Sequence, residues 1–189
     1  MQDFSYEKGM TSPKVIAVCS SPRHGMAKDP RTVIHLVAGM GVDGDAHQGT
    51  TTQHLYLRKK EPKRSNLTQV HLLHFELYHL LDSLGFSFSP GMLGENITTQ
   101  DINLMSLPTW TRLEVGDSIL KLTGYREPCR KLDRLKPGLM KATFVREPSA
   151  RIVPNLGVMA VVVRTGDARP GDIIKVSLPD PPHVALASV

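Results

Sequence analysis

Leu113-Glu114-Val115-Gly116-Asp117-Ser118-Ile119-Leu120-Lys121-Leu122 places apolar residues on both sides of a Gly-Asp pair, the pattern of two short strands joined by a tight turn. Pro170-Gly171-Asp172-Ile173-Ile174-Lys175-Val176 repeats the arrangement, with Gly-Asp again just ahead of an apolar run. Between the two, Leu156 to Thr165 is the most β-prone stretch of the chain and reads as a central strand. Upstream, Lys14 to Ser20 is rich in β-branched and small apolar residues between Pro13 and Pro22, so a buried strand is expected there. Val33 to Val37 and Leu67 to Leu73 read as further strands. Leu73, Leu77, Leu80, Leu81 and Leu84 then recur at helical spacing, and Gly85 stops that helix. Many short strands, one or two helices and glycine-rich turns predict a mainly β protein, an antiparallel β-barrel with a few helical insertions.

A length of 189 residues suits one domain. It is expected over residues 14–178, with loose termini at 1–13 and 179–189. A formal charge of +5 and a pI near 9.3 favour anionic partners. Aromatic residues make up only 5% of the chain and form no ladder for stacking bases, which argues against nucleic acid as the partner. The two cysteines, Cys19 and Cys129, lie far apart, so no disulfide framework is expected and a reducing compartment, the cytoplasm, is the default. No apolar run approaches the roughly 20 residues of a membrane-spanning helix, and the N-terminus lacks a signal-peptide core.

The candidate chemistry converges on Thr123 to Leu132. There Cys129 follows Pro128 and stands among Arg126, Arg130 and Lys131. Nearby cations stabilise a thiolate, the form that attacks electrophiles, carries sulfur or binds a soft metal. A free cysteine is also a common small core filler, and the residues alone leave both readings open. Cys19, inside a strand and without a basic neighbour, reads as filler. Gly39 to Gly49 holds four glycines, with Asp43, Asp45 and His47 alternating. On extended backbone these three share a face and can hold a divalent ion or exchange protons with a substrate. The same pattern is satisfied by aspartates bonding a turning backbone while His47 faces solvent. Arg58-Lys59-Lys60, with Lys63 and Arg64, reads as a solvated loop. His71, His74 and His79 do not share a ligating face and read as ordinary polar positions. In Ser89 to Thr98 a Pro-Gly turn leads into Glu95 and Asn96, which either orient a ligand or satisfy the turn.

Four segments in order carry a resemblance: Gly41-Val42-Asp43-Gly44-Asp45-Ala46-His47, Pro90-Gly91-Met92-Leu93-Gly94-Glu95-Asn96-Ile97-Thr98, Gly124-Tyr125-Arg126-Glu127-Pro128-Cys129 and Arg169-Pro170-Gly171-Asp172. Together they resemble the MOSC family, the C-terminal domain of molybdenum cofactor sulfurases, in its stand-alone bacterial form. The likeness runs from about Lys14 to Val176, and Thr50 to Ser65 departs from it by being longer and more basic.

The resemblance implies a β-rich barrel of the MOSC type that binds the molybdenum cofactor (molybdopterin). It makes Cys129 the functional residue, as metal ligand or sulfur carrier. Arg126, Arg130 and Lys131 would then neutralise the cofactor phosphate. Asp45, Glu95 and Asn96 would hold the pterin, and His47 would deliver protons as a catalytic acid. The activity implied is reduction of a small N-hydroxylated substrate, with electrons from a separate electron-donor protein. The alternative is a non-catalytic carrier that passes the cofactor, or sulfur on Cys129, to a client molybdoenzyme.

Overall fold

The computed structural model describes residues 12–146 and 150–189. In chain order the strands are β1 (Lys14–Ser20), β2 (Asp29–Arg31), β3 (Ile34–Val37), β4 (Gly41–Val42), β5 (Val70–His74), β6 (Ile97–Gln100), β7 (Arg112–Val115), β8 (Ser118–Tyr125), β9 (Phe144–Arg146), β10 (Ile152–Pro154), β11 (Val158–Arg164), β12 (Gly166–Ala168) and β13 (Ile174–Ser177). The helices are short: α1 (Leu55–Lys60), α2 (Glu76–Ser83), α3 (Lys131–Leu135) and α4 (Leu139–Ala142). The fold is therefore mainly β with few helices. None of these helices is long and apolar enough to cross a membrane.

The expected hairpin forms around Gly116-Asp117: Gly116 takes φ +54°, and Val115 and Ser118 pair directly across the turn, joining β7 to β8. The main sheet runs β13-β7-β8-β11-β5-β6-β1-β2, with β11 in the middle as its composition predicts. Smaller sheets, β12-β3-β4 and β10-β9, lie beside it.

Register across this sheet positions everything that follows. Tyr125 stands opposite Val158, Val158 opposite Leu72, Leu72 opposite Ile97 and Ile97 opposite Val18. In that row Val158, Leu72, Ile97 and Val18 are fully buried in the larger core. One residue along, the next row holds Gly124, Met159 and His71, and continues through hydrogen bonds from Asn96 N to His71 O and from Cys19 N to Asn96 O, each 2.8 Å. Since successive side chains point to opposite faces, this second row faces away from the larger core. On that other face a second cluster packs Leu77, Tyr78 and Leu81 of α2 against Leu73, Leu93, Leu132, Leu139 and Leu156.

Three features refine or change the expectation. Pairing is mainly antiparallel, but β5 and β6 run parallel, the chain having crossed over through α2 between them. The expected closed barrel is not drawn by the ladders, which leave β13 and β2 at the two ends of the order. Among the described residues β1 meets the β13 end through an isolated bridge, Lys14 to Ile173, and through backbone bonds such as Val15 N to Asp172 O (2.9 Å) and Ile174 N to Pro13 O (2.8 Å). Third, the segment from 179 onward, expected as a loose tail, runs back along β8. Tyr125 N donates to Ala187 O (2.9 Å), Thr109 N donates to Val184 O (2.8 Å), and Leu186 packs on the larger core. The lead-in expected over 1–13 lies, except for its last two residues, outside the described residues.

Leu120 on β8 is fully buried in the larger core. Leu120→Ala should lower unfolding free energy by about 2–5 kcal/mol in a denaturant titration, the range for truncating a packed leucine; a loss under about 1 kcal/mol would contradict this packing.

Candidate functional site

The second row forms the floor of a cavity of about 450 Å³, within the roughly 300–1,000 Å³ range of small-molecule sites. Met159, His71 and Asn96 line it from the sheet, while Cys129, Arg126 and Lys131 line it from the loop after β8 and the start of α3. His47 and Lys28 come from loops, and His54, Tyr56 and Leu57 from α1 and its approach.

Asp45 anchors one side. Its backbone lies in a turn, so the alternation of Asp43, Asp45 and His47 does not make a common face. Asp43 is exposed and accepts from Gln48 Nε2 (3.0 Å), whereas the Asp45 side chain is fully buried. Asp45 Oδ2 accepts from Lys28 Nζ (2.6 Å), Ser21 N (3.1 Å) and Asn96 Nδ2 (3.1 Å), and Oδ1 accepts from His47 N (2.9 Å) and His47 Nδ1 (3.2 Å). Burial alone would push this carboxyl up. The hydrogen bonds from His47 and the Lys28 ammonium outweigh burial and hold it well below the usual carboxylate range. Burial pulls Lys28 down, and Asp45 is what keeps an ammonium there. In a neutral His47 the bond to Asp45 keeps the proton on Nδ1 and leaves Nε2 able to exchange a proton with a bound molecule. His24 packs edge-on against the His47 ring, centroids 5.0 Å apart.

The opposite side is built by the Pro-Gly segment. Gly91 takes φ +89°, and a Cβ there would fall 2.5 Å from Lys28 O and 2.8 Å from Cys19 Sγ. Its N–H donates to Glu95 Oε1 (2.5 Å), which also accepts from Tyr78 OH and Thr98 Oγ1. Glu95 is fully buried and does not line the cavity. Its role here is to fix the loop whose Leu93 carbonyl accepts from Arg126 Nη1. Gly94, at φ +86°, leaves the space beside Met26 O and the Arg126 guanidinium that a side chain would fill.

Arg126 is partly buried, and its partners are neutral: Leu93 O and, at 3.3 Å, His71 Nδ1. Burial lowers the Arg126 pKa, while nearby Cys129 and Glu95 favour its charge. His71 is held well below the usual imidazole range by burial and by Arg126, so its ring is neutral. Nε2 then donates to Leu156 O (2.8 Å) and Nδ1 accepts from Arg126. Cys129 is exposed, whereas Cys19 is fully buried and its thiol is pushed up to about 12 by burial and then by Glu95.

Of the residues singled out from sequence, Cys129, His47, Arg126, Lys131 and Asn96 meet on this cavity. Asp45 lies immediately behind His47 and Lys28. Glu95 lies deeper, and Arg130 is exposed outside the lining. Among the described residues no group of three His, Cys, Asp or Glu side chains is arranged to hold a metal ion, so the divalent-ion option for Asp43, Asp45 and His47 fails. Two contributors escaped the sequence reading. From sequence His71 reads as an ordinary polar position, although its place between Val70 and Leu72 in an apolar run is a signal of burial. Lys28 carried no local signal, because its partner lies 17 residues away.

Asp45 supplies a pH test. A carboxyl held low in the folded state contributes fully above its unfolded value of about 3.9 and loses that contribution as pH falls. Asp45→Asn, which strips Lys28 of its buried partner, should cost about 3–5 kcal/mol at pH 7. The gap from wild type should shrink by about 1 kcal/mol at pH 3 in urea titrations; a constant gap would show that Asp45 is not held ionised by these partners. Iodoacetamide should modify one thiol in the native chain and two after denaturation, and Cys129→Ser should remove the native reaction. Native labelling of Cys19 would contradict the burial described.

The family model described as MOSC domain matches residues 59–175, more than half of the chain. No curated protein matches the sequence. Among solved structures, the YUAD protein from Bacillus subtilis is 21% identical with a TM-score of 0.69, over 90% of this chain and 98% of that one. YiiM from Geobacillus stearothermophilus is 14% identical with a TM-score of 0.65, over 92% of this chain and 79% of that one. YiiM from Escherichia coli is 13% identical with a TM-score of 0.59, over 90% and 73%. At these identities the structural likeness is one of fold. The family match takes in the strands of the cavity floor from β5 to β11 and the loop bearing Arg126 and Cys129, and on it the chain belongs to the MOSC domain family.

Proposed function

We propose that this protein binds the molybdenum cofactor in the cavity and reduces N-hydroxylated compounds with electrons from an external donor. The MOSC family is associated with molybdenum cofactor binding in general. The observation that carries the reading for this chain is an exposed thiol, Cys129, beside a guanidinium, Arg126, whose described partners are neutral, on a cavity that also holds His47. A thiolate suits molybdenum in a sulfur-rich sphere, and an unneutralised guanidinium suits a phosphate, so the residues present fit the group.

In this reading Cys129 ligates the metal, and Arg126 with Lys131 binds the phosphate. Met159, His71 and Asn96, the last two with their side chains hydrogen-bonded within the protein, would form the floor beneath the pterin. When bound, the cofactor supplies an oxygen-accepting metal centre that cycles by two electrons. The overall change converts N–OH to N–H, consuming two electrons and two protons and releasing water. His47 would pass a proton through Nε2 to the departing oxygen, and Asp45 keeps the ring oriented through Nδ1. Glu95 and Asp45 act from behind the cavity wall as positioning residues. His54, Tyr56 and Leu57, which line one side of the opening, would limit substrate size. The expected location is the cytoplasm.

The exposure of Cys129 also favours a second reading, a non-catalytic carrier of the cofactor or of sulfur, since a carrier must present its sulfur to a client. Protein made in a host competent for cofactor synthesis separates the two. Wild type should copurify with molybdenum and reduce an amidoxime or a hydroxylaminopurine with viologen as chemical donor. Cys129→Ser should lose the metal, and His47→Ala should keep it while turning over about 10²–10⁴-fold more slowly. Equal metal in wild type and Cys129→Ser would end the ligand role, and a loaded protein without reductase activity would leave the carrier.

A further inference from the structure

The cavity leaves part of the positive charge around its mouth unused. Arg58, Lys59, Lys60, Lys63, Arg130 and Arg134 are all exposed, and none of them lines the cavity. Among the described residues none of the six pairs with a carboxylate; Arg64 takes Glu61 (3.6 Å), and the Lys60 ammonium rests 5.5 Å from the Tyr56 ring centroid. These cations sit on or beside two helices that both border the cavity, since α1 contributes Tyr56 and Leu57 to the lining and α3 contributes Lys131. Interspersed acids are few: Glu61, Glu127 and Asp133.

Helix α1 is unusual in a second way. It buries no residue, and Leu55 and Tyr56 are 52% and 61% exposed. A six-residue helix is marginal by itself, and this one presents two large apolar side chains followed by three cations in its last turn. An apolar anchor ringed by like charge is the composition of a protein-docking face. A ligand held inside the cavity does not account for the six cations, because none of them belongs to the lining.

We propose that α1, α3 and Lys63 form the docking surface for an acidic electron-donor protein carrying reduced flavin. This rests on the reductase reading: each turnover needs two electrons, which two one-electron transfers from reduced flavin supply while the donor is oxidised. Leu55 and Tyr56 would be the apolar contact, and the six cations would steer and orient a carboxylate-rich face against the mouth of the cavity. Binding should therefore weaken steeply with salt.

A bacterial flavodoxin is a suitable probe. Its Kd for the cofactor-loaded protein at low ionic strength is compared among wild type, the triple variant Arg58→Glu/Lys59→Glu/Lys60→Glu, and a control of equal charge change on another part of the surface, Arg112→Glu/Arg151→Glu/Lys175→Glu. Expected is a weakening of about 10-fold or more in the α1 variant and little change in the control. Flavodoxin-driven turnover should fall with it while viologen-driven turnover holds. Absence of wild-type binding, or equal loss in the control, overturns the proposal. So does tighter, α1-dependent binding of a single-stranded oligonucleotide, which would assign the face to nucleic acid. Should α1-dependent flavodoxin binding occur without viologen-driven turnover, the docking surface stands and the reductase reading falls.

Discussion

The site exists because five strands hold one register. The buried row of Val158, Leu72, Ile97 and Val18 and the cavity-facing row of Met159, His71 and Asn96 are a single residue apart on every strand concerned. A slip by one residue would drive the His71 imidazole into hydrocarbon and put Leu72 on the cavity floor, at a cost that burial of a polar group makes prohibitive. Asn96 pins the setting. Its backbone bonds both neighbouring strands, and its amide joins His71 N, Cys19 O and Asp45 Oδ2. The residue that sets the register therefore also reaches into the charged side of the site.

Charge balance across the cavity follows from that placement. Asp45 neutralises Lys28, and what remains of its hydrogen-bonding capacity goes to His47, Asn96 and Ser21. Glu95, the other buried carboxylate nearby, is taken by Tyr78, Gly91 and Thr98. Neither acid contacts Arg126, which must find its partners in a carbonyl and a neutral imidazole. A guanidinium so placed retains donors and full charge for an anionic group. With one acid hydrogen-bonded to Lys28 and, among the described residues, none hydrogen-bonded to Arg126, the guanidinium keeps its charge at the cavity.

Much of this was legible in the chain. The Gly-Asp hairpin, the strand at Lys14–Ser20, the central strand and the leucine-spaced helix are set by local patterning, so they could be read. The parallel placement of β6 beside β5 could not, since it is decided by where α2 packs and not by either strand's own sequence. Cys129 and Arg126 were found because the sequence places them three residues apart, whereas the pairing of Lys28 with Asp45 spans two loops whose approach depends on Gly91. His71 escapes for a different reason: the apolar run around it signals burial, but not that Leu156 O and Arg126 meet its two ring nitrogens.

The tail shows how a glycine in the cysteine motif depends on a distant segment. A Cβ on Gly124 would lie 2.3 Å from Ala187 O and 2.6 Å from Val189 Cγ1, so the closing residues rest directly on the bare backbone of β8. Gly124 belongs to the cavity-facing row, where it is the position without a side chain, and Val189 occupies the space and joins the lining. Ser188 Oγ donates to Glu127 Oε2 (3.2 Å), which ties the same segment to the loop carrying Arg126 and Cys129. Glycine at 124 thus serves tertiary docking, because its backbone angle lies outside the left-handed region. The cavity wall next to the thiol is completed by residues some 60 positions further along, so the site is assembled only when the whole sheet and its returning end are in place.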